Sequence, residues 1–325
     1  MGKLPFECFE KKILVKKQIP VNGESAPLPM EDFLNYCIIN VDKPRGPTSH
    51  QIVDFIKRIL GASKAGHSGT LDPHVTGVLP MAVGRATRLT QALLSAGKEY
   101  VAVMYLHKEV PEERLRKGFS EFTGQITQLP PVKSAVKRVE RERTIYYVDI
   151  LEIDGQFVLF RIGCQAGTYI RKYIHDLGNM LGVGAHMAEL RRTRVASFNE
   201  SSLCTLQELT DALWYYRNEK NEKPLRKILQ PAERAVDHLR KVWVMDSTLE
   251  PLSHGRDLAI PGIIQLESGI VKGEMIVIFD PNSKLVSLGI AQMDSEEMMQ
   301  NEKGIAVKND KVFIGEMGAQ ESQGL

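Results

Sequence analysis

The chain has 325 residues, enough for two domains with sizeable cores, and an ordinary globular composition of 43% hydrophobic and 25% charged residues. A formal net charge of +2 offers no global attraction for a polyanion, so any nucleic-acid surface must be local. Four dispersed cysteines, Cys8, Cys37, Cys164 and Cys204, exclude a disulfide framework and a C-x-x-C metal site, and no apolar run reaches the roughly 18 to 20 residues that span a bilayer.

Residues 1 to about 35 form an extension with Lys11-Lys12, Lys16-Lys17 and Pro20, Pro27 and Pro29, in which Ile13, Leu14, Val15 and Ile19 supply enough apolar surface to pack as a strand. Ile38 to Val41 predict a short buried strand that runs into Lys43-Pro44-Arg45-Gly46-Pro47-Thr48-Ser49, a turn ending in good helix caps. Ile52, Val53, Ile56, Ile59 and Leu60 then recur at helical spacing, and Gly61 closes the helix. The stretch Ala65 to Thr87, AGHSGTLDPHVTGVLPMAVGRAT, is a glycine-rich loop. Pro73 keeps Asp72 in extended or turn geometry, so the loop presents one carboxylate, and Val78 to Val83 anchor it in a core.

A second helix is predicted over Ala86 to Ala96, a strand over Glu99 to Leu106 and a charged helix over Glu112 to Phe119. Asp154-Gly155 joins the β-rich runs Thr144 to Ile153 and Gln156 to Gly163 as a hairpin. Gly167-Thr168 open a helix over Tyr169 to Leu181 with Ile170, Tyr173, Ile174 and Leu177 on one face and Arg171 off it. Ala185 to Leu190 read as a turn or two of helix, followed by Arg191-Arg192-Thr193-Arg194, and after Thr205 to Tyr216 the charged, Pro-terminated stretch Arg217 to Pro224 reads as a surface connection. From Val242 on, short β-like runs separated by Gly and Pro, the last at Val312-Phe313-Ile314, indicate a small β-rich second domain.

By pattern alone Asp72 is a turn residue, Tyr100 a strand aromatic and Arg171 a solvated helix arginine. The run G-H-S-G-T-L-D-P-x-x-x-G-V-L-P-x-x-x-G-x-A-T, Gly66 to Thr87, however resembles the signature loop of the TruB family of RNA pseudouridine synthases, over more than twenty consecutive positions. That resemblance implies an α+β fold with a mixed, mostly antiparallel sheet, and makes Asp72 the catalytic nucleophile. It further implies that Tyr100 stacks on the target base, Arg171 pairs with Asp72, Leu190 lines the uracil pocket and His67 helps hold the flipped nucleotide. Lys43, Pro44 and Gly46 match the family's first motif, read as a brace. Gly255-Arg256-Asp257-Leu258-Ala259-Ile260-Pro261-Gly262 and Gly269 to Glu274 are similar to a PUA domain, a small RNA-binding β-barrel-like fold.

The implied organisation is an N-terminal extension packing on the second domain (1–35), a catalytic domain (36–240), a PUA domain (241–318) and a tail (319–325). RNA contacts are expected from Lys98, from the basic run Lys133, Lys137, Arg138, Arg141 and Arg143, from Arg191, Arg192 and Arg194, and from His254, Gly255, Arg256, Pro261 and Gly262. Bacterial members carry a long insertion after the equivalent of Pro130-Pro131, and only about a dozen residues stand here, which with the extension and the PUA-like end resembles the archaeal, dyskerin-like branch. That branch implies tRNA, rRNA and H/ACA guide RNA as partners, small helper proteins of the H/ACA particle, and direct action on uracil-55 of the tRNA pseudouridine loop as a second route. No cofactor, metal or membrane is expected, and the lack of a signal-peptide core points to the cytoplasm. The competing reading is a non-catalytic RNA scaffold of the same fold, which would not require Asp72, Tyr100 and Arg171 together, while a sugar hydrolase would need a second loop carboxylate.

Overall fold

The computed structural model describes residues 2–8, 11–21, 28–130 and 137–314. They divide into unit 1, Met1–Cys8 with Met30–Ala235, and unit 2, Phe9–Pro29 with Val236–Leu325, so the N-terminal stretch is shared between the two. Strand β1 (Ile13–Val15) belongs to unit 2. Unit 1 holds α1 (Met30–Leu34), β2 (Tyr36–Lys43), α2 (Ser49–Leu60), β3 (Ala65–His67), β4 (Thr76–Gly84), α3 (Thr90–Ser95), β5 (Lys98–Leu106), α4 (Glu112–Glu121) and β6 (Gly124–Gln128). It continues with β7 (Arg141–Asp154), β8 (Phe157–Cys164), α5 (Ile170–Met180), β9 (Ala185–Val195), β10 (Phe198–Asn199), α6 (Leu206–Glu219), α7 (Lys223–Ile228) and β11 (Leu229–Pro231).

Among the described residues, unit 1 is a single sheet in the order β11-β2-β4-β9-β5-β8-β7-β6, with β3 on β4 and β10 on β9. Its strand pairs are antiparallel except for β4 with β9, which gives the mixed, mostly antiparallel α+β architecture expected. Helix α2 starts on the reciprocal bonds of Thr48 and Gln51 and buries Ile52, Ile56 and Leu60, as its periodicity requires. Helix α5 buries Ile170, Tyr173, Ile174 and Leu177 against Phe119, Phe160 and Met104, and leaves Arg171 exposed. The buried thiols Cys37, Cys164 and Cys204 are pushed up to about 12 by burial.

Several expectations are corrected. Ala185 to Leu190 are strand, not helix, because they pair along β5, from Leu106 opposite Ala185 to Ala102 opposite Leu190. Residues 86–96 split into a 3-10 turn, Arg85–Leu89, and the short α3. Arg141 and Arg143 begin β7, paired to β6, so two of the five residues named in the basic run stand in the sheet. In unit 2 the last strand ends at Val312, before Phe313 and Ile314.

Unit 2 adds β12 (Arg240–Val244), α8 (Leu249–Ser253), β13 (Leu258–Ala259), β14 (Ile263–Glu267), β15 (Met275–Phe279), β16 (Leu285–Ala291), α9 (Ser295–Gln300) and β17 (Ile305–Val312). Its sheet runs β1-β14-β12-β15-β16-β17-β13 around a core of Val242, Ile263, Leu266, Ile276, Ile278 and Val286. The N-terminal β1 is thus an edge strand of this sheet, fixed further by Lys16, whose Nζ donates to the carbonyls of Met298, Met299 and Asn301 at the end of α9.

The parallel seam of unit 1 is only two pairs long, Thr76 with Arg191 and Gly77 with Arg192. Gly77 has φ +103°, and a Cβ there would lie 2.1 Å from the Arg192 carbonyl oxygen, so the approach of the two strands requires glycine. Gly77→Ala is therefore expected to destabilise unit 1 by about 2–4 kcal/mol, because a clash adds to left-handed strain. Gly46→Ala, at φ +114° with open space around it, should cost only about 1 kcal/mol. Urea unfolding of both variants checks the difference, and equal midpoints would mean that the seam does not need this glycine.

Candidate active site

The loop between β3 and β4 turns at Asp72, where the Val75 N–H donates to the Asp72 carbonyl at 3.0 Å. Three buried side chains hold its backbone from beneath. Lys43 Nζ donates to the carbonyls of Pro44 (2.9 Å), Pro73 (3.2 Å) and Val75 (2.9 Å). Ser49 Oγ accepts from the Leu71 N–H at 2.8 Å and donates to the Leu71 carbonyl at 3.2 Å. Arg192, 1% exposed, donates from Nε to the Val78 carbonyl (2.8 Å) and from Nη2 to that of Gly69 (3.2 Å). With the Gly46 N–H on the Pro73 carbonyl as well, the backbone is tied down while the Asp72 side chain is left exposed.

Asp72 Oδ2 is paired with Arg171 Nη2, and the two side chains are 49% and 54% exposed. Such a pair contributes little to stability, about 0–1 kcal/mol, but fixes where the carboxylate points. Arg171 is placed by the start of α5, where Gln128 brackets Tyr169 by accepting from its N–H (3.0 Å) and donating to its carbonyl (3.2 Å). Nothing local in the sequence marks Gln128 for this, since its partner lies 41 positions away. Ser49, read only as a helix cap, is likewise a loop clamp; its complete burial one residue after the Thr48 cap is the only hint.

Tyr100 and Leu190 join Leu71, Val75 and Ile170 in one apolar cluster beside the loop. Tyr100 lies across from Arg192 in the β5–β9 register, and burial pushes its ionisation up, so the phenol is neutral at neutral pH. His67 accepts the Gly69 N–H on Nδ1 at 3.2 Å and stands edge-on to His50. Burial, together with the nearby His50 and Arg192, pushes it down to about 4, so it too is neutral at neutral pH and holds the loop's first turn.

Other expected RNA contacts stand elsewhere. Lys98 is buried, and its Nζ donates to the carbonyls of Leu93 (3.0 Å), Leu94 (2.8 Å) and Ala96 (2.7 Å), closing α3 rather than reaching solvent. Arg191 holds Asp42 with two bonds of 3.0 Å and Glu200 at 2.6 Å, and Arg194 holds Glu7 at 2.6 and 3.0 Å. With Arg192 buried, the cluster Arg191, Arg192 and Arg194 is internal bracing and not an open phosphate patch. Lys137 and Arg138 are exposed, Arg143 lies against Gly167, and Lys133 lies outside the described residues. In unit 2, His254, Gly255, Arg256 and Pro261 are exposed around the end of α8 and the turn after β13, with Gly262 buried behind them. Among the described residues no group of three His, Cys, Asp or Glu could hold a metal ion, and no helix is long and apolar enough to cross a membrane.

Comparison with known families matches residues 57–170 to the TruB family pseudouridylate synthase N-terminal domain, 171–237 to the tRNA pseudouridylate synthase B C-terminal domain, 240–313 to the PUA domain and 15–53 to the DKCLD (NUC011) domain. A probable tRNA pseudouridine synthase B of Pyrococcus abyssi is 54% identical over 287 residues, covering 88% of this chain and 86% of the relative. One of Thermococcus kodakarensis is 51% identical over 312 residues, 92% of each. Among solved structures, a Cbf5-Nop10-Gar1 complex contains a chain with 48% identity and TM-score 0.90, covering 96% of this chain and 97% of that one. An H/ACA RNP bound to a substrate RNA containing 2′-deoxyuridine contains a chain with 46% identity and TM-score 0.87 over 96% and 97%.

The corrected place of Lys98 is directly testable. Lys98→Met removes three bonds to buried carbonyls and should lower stability by about 2–3 kcal/mol while leaving RNA affinity within a few-fold. Thermal unfolding and filter binding check it; reduced affinity with unchanged stability would return Lys98 to the RNA surface.

Proposed function

The chain belongs to the TruB family of pseudouridine synthases, and from that premise we propose that Asp72 is the residue through which it converts uridine to pseudouridine in RNA. The observation that carries this reading is the geometry of one carboxylate, held outward by Arg171 on a loop whose backbone is bonded from beneath, beside an apolar wall containing Tyr100 and Leu190.

The reaction breaks the bond from the ribose C1′ to N1 of uracil, turns the base and forms a bond from C1′ to C5, with the C5 proton lost and N1 protonated. It is redox-neutral and consumes no water. The carboxylate acts as a nucleophile, on C1′ or on the ring of the base, and both routes need it charged and aimed into a pocket that excludes water. Arg171 supplies the aim. Tyr100 and Leu190 supply a flat, apolar face for a base extruded from its stack, and the neutral His67 keeps the first turn of the loop in shape.

We place the protein in the cytoplasm as the catalytic subunit of an H/ACA guide ribonucleoprotein acting on rRNA, with helper proteins, and with uracil-55 of tRNA as a direct substrate. Likeness over nearly its whole length to chains in the Cbf5-Nop10-Gar1 complex and the H/ACA RNP supports this reading. In it, guide RNA is anchored by unit 2 through His254, Gly255, Arg256, Pro261 and the backbone at Gly262, and Lys137 and Arg138 meet substrate phosphates. A scaffold would not require the Asp72–Arg171 pair, and no observation favours it.

Asp72→Asn should abolish product formation while RNA affinity stays within a few-fold, since it removes charge and almost no surface. Arg171→Ala should lower the single-turnover rate by about 100-fold or more by freeing the carboxylate from its aim. Pseudouridine mapping on RNA incubated with each purified variant reads both, and turnover by Asp72→Asn would end the assignment. Arg256→Gln should weaken guide-RNA binding and reduce the salt slope by about one, with the rate at saturating RNA unchanged. An unchanged slope would remove Arg256 from the interface.

A further inference from the structure

The exposed turn of unit 2 that carries His254, Gly255 and Arg256 is bonded twice over. Helix α8 ends in it: the Gly255 N–H donates to the Leu252 carbonyl at 2.9 Å and the Arg256 N–H to that of Pro251 at 3.1 Å, with Gly255 at φ +79°. Those bonds are local. Asn309, on β17 and 52 to 57 positions away in the chain, adds three more from outside. Its Nδ2 donates to the carbonyls of Leu252 and Arg256, both at 3.2 Å, and its backbone N–H donates to Asp257 Oδ1 at 2.9 Å. One residue thus brackets the turn on both sides. Among short side chains only an amide can do this, since its nitrogen carries two protons where a carboxylate carries none and a hydroxyl one. Strand β17 is irregular at this point, with Lys311 opposite Leu288 and Asn309 opposite Gly289, so that Asp310 is left over, a distortion of the kind that re-aims a side chain. Asn309 Oδ1 is buried with no hydrogen-bond partner among the described residues, so the side chain forgoes one acceptor while both its donors serve the turn.

We propose that Asn309 is a positioning residue for RNA binding by unit 2, fixing the turn in the shape that presents the Arg256 side chain and the backbone at Gly255 to guide RNA. The inference rests on the reading of that turn as an RNA contact given above. A Cβ at Gly255 would meet no protein atom within 4 Å, so the backbone there is open to a ligand. An exposed turn held by its own bonds alone samples several shapes, and binding must then select one at a cost in conformational entropy; a turn bracketed beforehand has already met that cost on folding. Asn309 contributes no phosphate contact of its own in this role, so it acts on affinity and leaves the number of counterions released unchanged. Asp257 is the third point of attachment. Its charge by itself opposes a polyanion, so any affinity lost with it comes from its bond to the Asn309 N–H and not from its charge.

The test is guide-RNA binding by the full chain over a range of salt concentrations, well below the melting temperature of each variant. Asn309→Ala should weaken binding by about 10-fold with the salt slope unchanged. A merely structural Asn309 would lower the melting temperature and leave affinity as it was, and that result overturns the proposal. Asp257→Ala should weaken binding by about threefold or more although it removes a negative charge, whereas Asp257→Asn, whose Oδ1 still accepts the Asn309 N–H, should bind at least as tightly as the parent. Asp257→Ala binding as tightly as Asp257→Asn also overturns the proposal, since charge alone then accounts for both. Should Asn309→Ala fail to fold, the Asp257 pair decides. Arg256→Gln run in parallel separates the two levels. Unchanged affinity and slope in that variant mean that the reading of the turn as an RNA contact has failed and the proposal with it, whereas a weakened Arg256→Gln beside an unweakened Asn309→Ala means that only the role of Asn309 has failed.

Discussion

Buried cations bonded to carbonyl oxygens hold the loop that carries Asp72. Lys43 takes the carbonyls of Pro44, Pro73 and Val75, and Arg192 takes those of Gly69 and Val78. Removing such charges from water costs several kcal/mol each, and among the described residues neither has a carboxylate to offset it. The gain is rigidity of a particular kind. Prolines remove N–H donors from such a loop, so several of its carbonyls take donors from elsewhere, and a long basic side chain can serve two or three of them from one point. The positive field that results lies under a site whose chemistry creates negative charge, so the same groups that shape the loop suit the reaction.

The Asp72–Arg171 pair has the opposite character. Both side chains are about half exposed, and water screens their attraction, so the fold does not depend on them. The ion pairs of Arg191 with Asp42 and of Arg194 with Glu7 are two-bonded and more buried, and they tie β9 to β2 and to the N-terminal residues. Stability and catalysis thus draw on different arginines of one sequence neighbourhood, and substitution at each should separate them cleanly.

Much of this was legible in the sequence. The helix over residues 49–60 and the helix that places Arg171 follow from spacing and caps, and the hairpin at Asp154-Gly155 follows from its turn. Asp72 as a presented carboxylate follows from Pro73 and the surrounding glycines. What failed depends on neighbours distant in sequence. Ala185 to Leu190 carry good helix formers, and only pairing along β5 makes them extended. Lys98, Arg191, Arg192 and Arg194 looked like phosphate ligands because a basic residue is ordinarily solvated, and burial under partners up to 187 positions away is invisible in local pattern. The clamp by Gln128 left no local trace for the same reason.

These reassignments change where affinity for RNA can reside. A chain of net charge +2 has little cation surplus, and the four basic side chains just named are committed to carbonyls and carboxylates inside unit 1. Each phosphate contact contributes by releasing a counterion, which a buried or bidentately paired guanidinium does not do. Within unit 1 the exposed Lys137 and Arg138, at the start of the run that becomes β7, are better placed for such contacts, and Arg141 and Arg143 are partly drawn into the sheet beside them. Unit 2 presents Arg256 and His254 on an exposed turn. Few contacts on small patches mean modest affinity for any one RNA, and selectivity that depends on several patches being engaged together. A protein so arranged is suited to an RNA held at several points, as in a guide particle, more than to capture of a substrate by its charge.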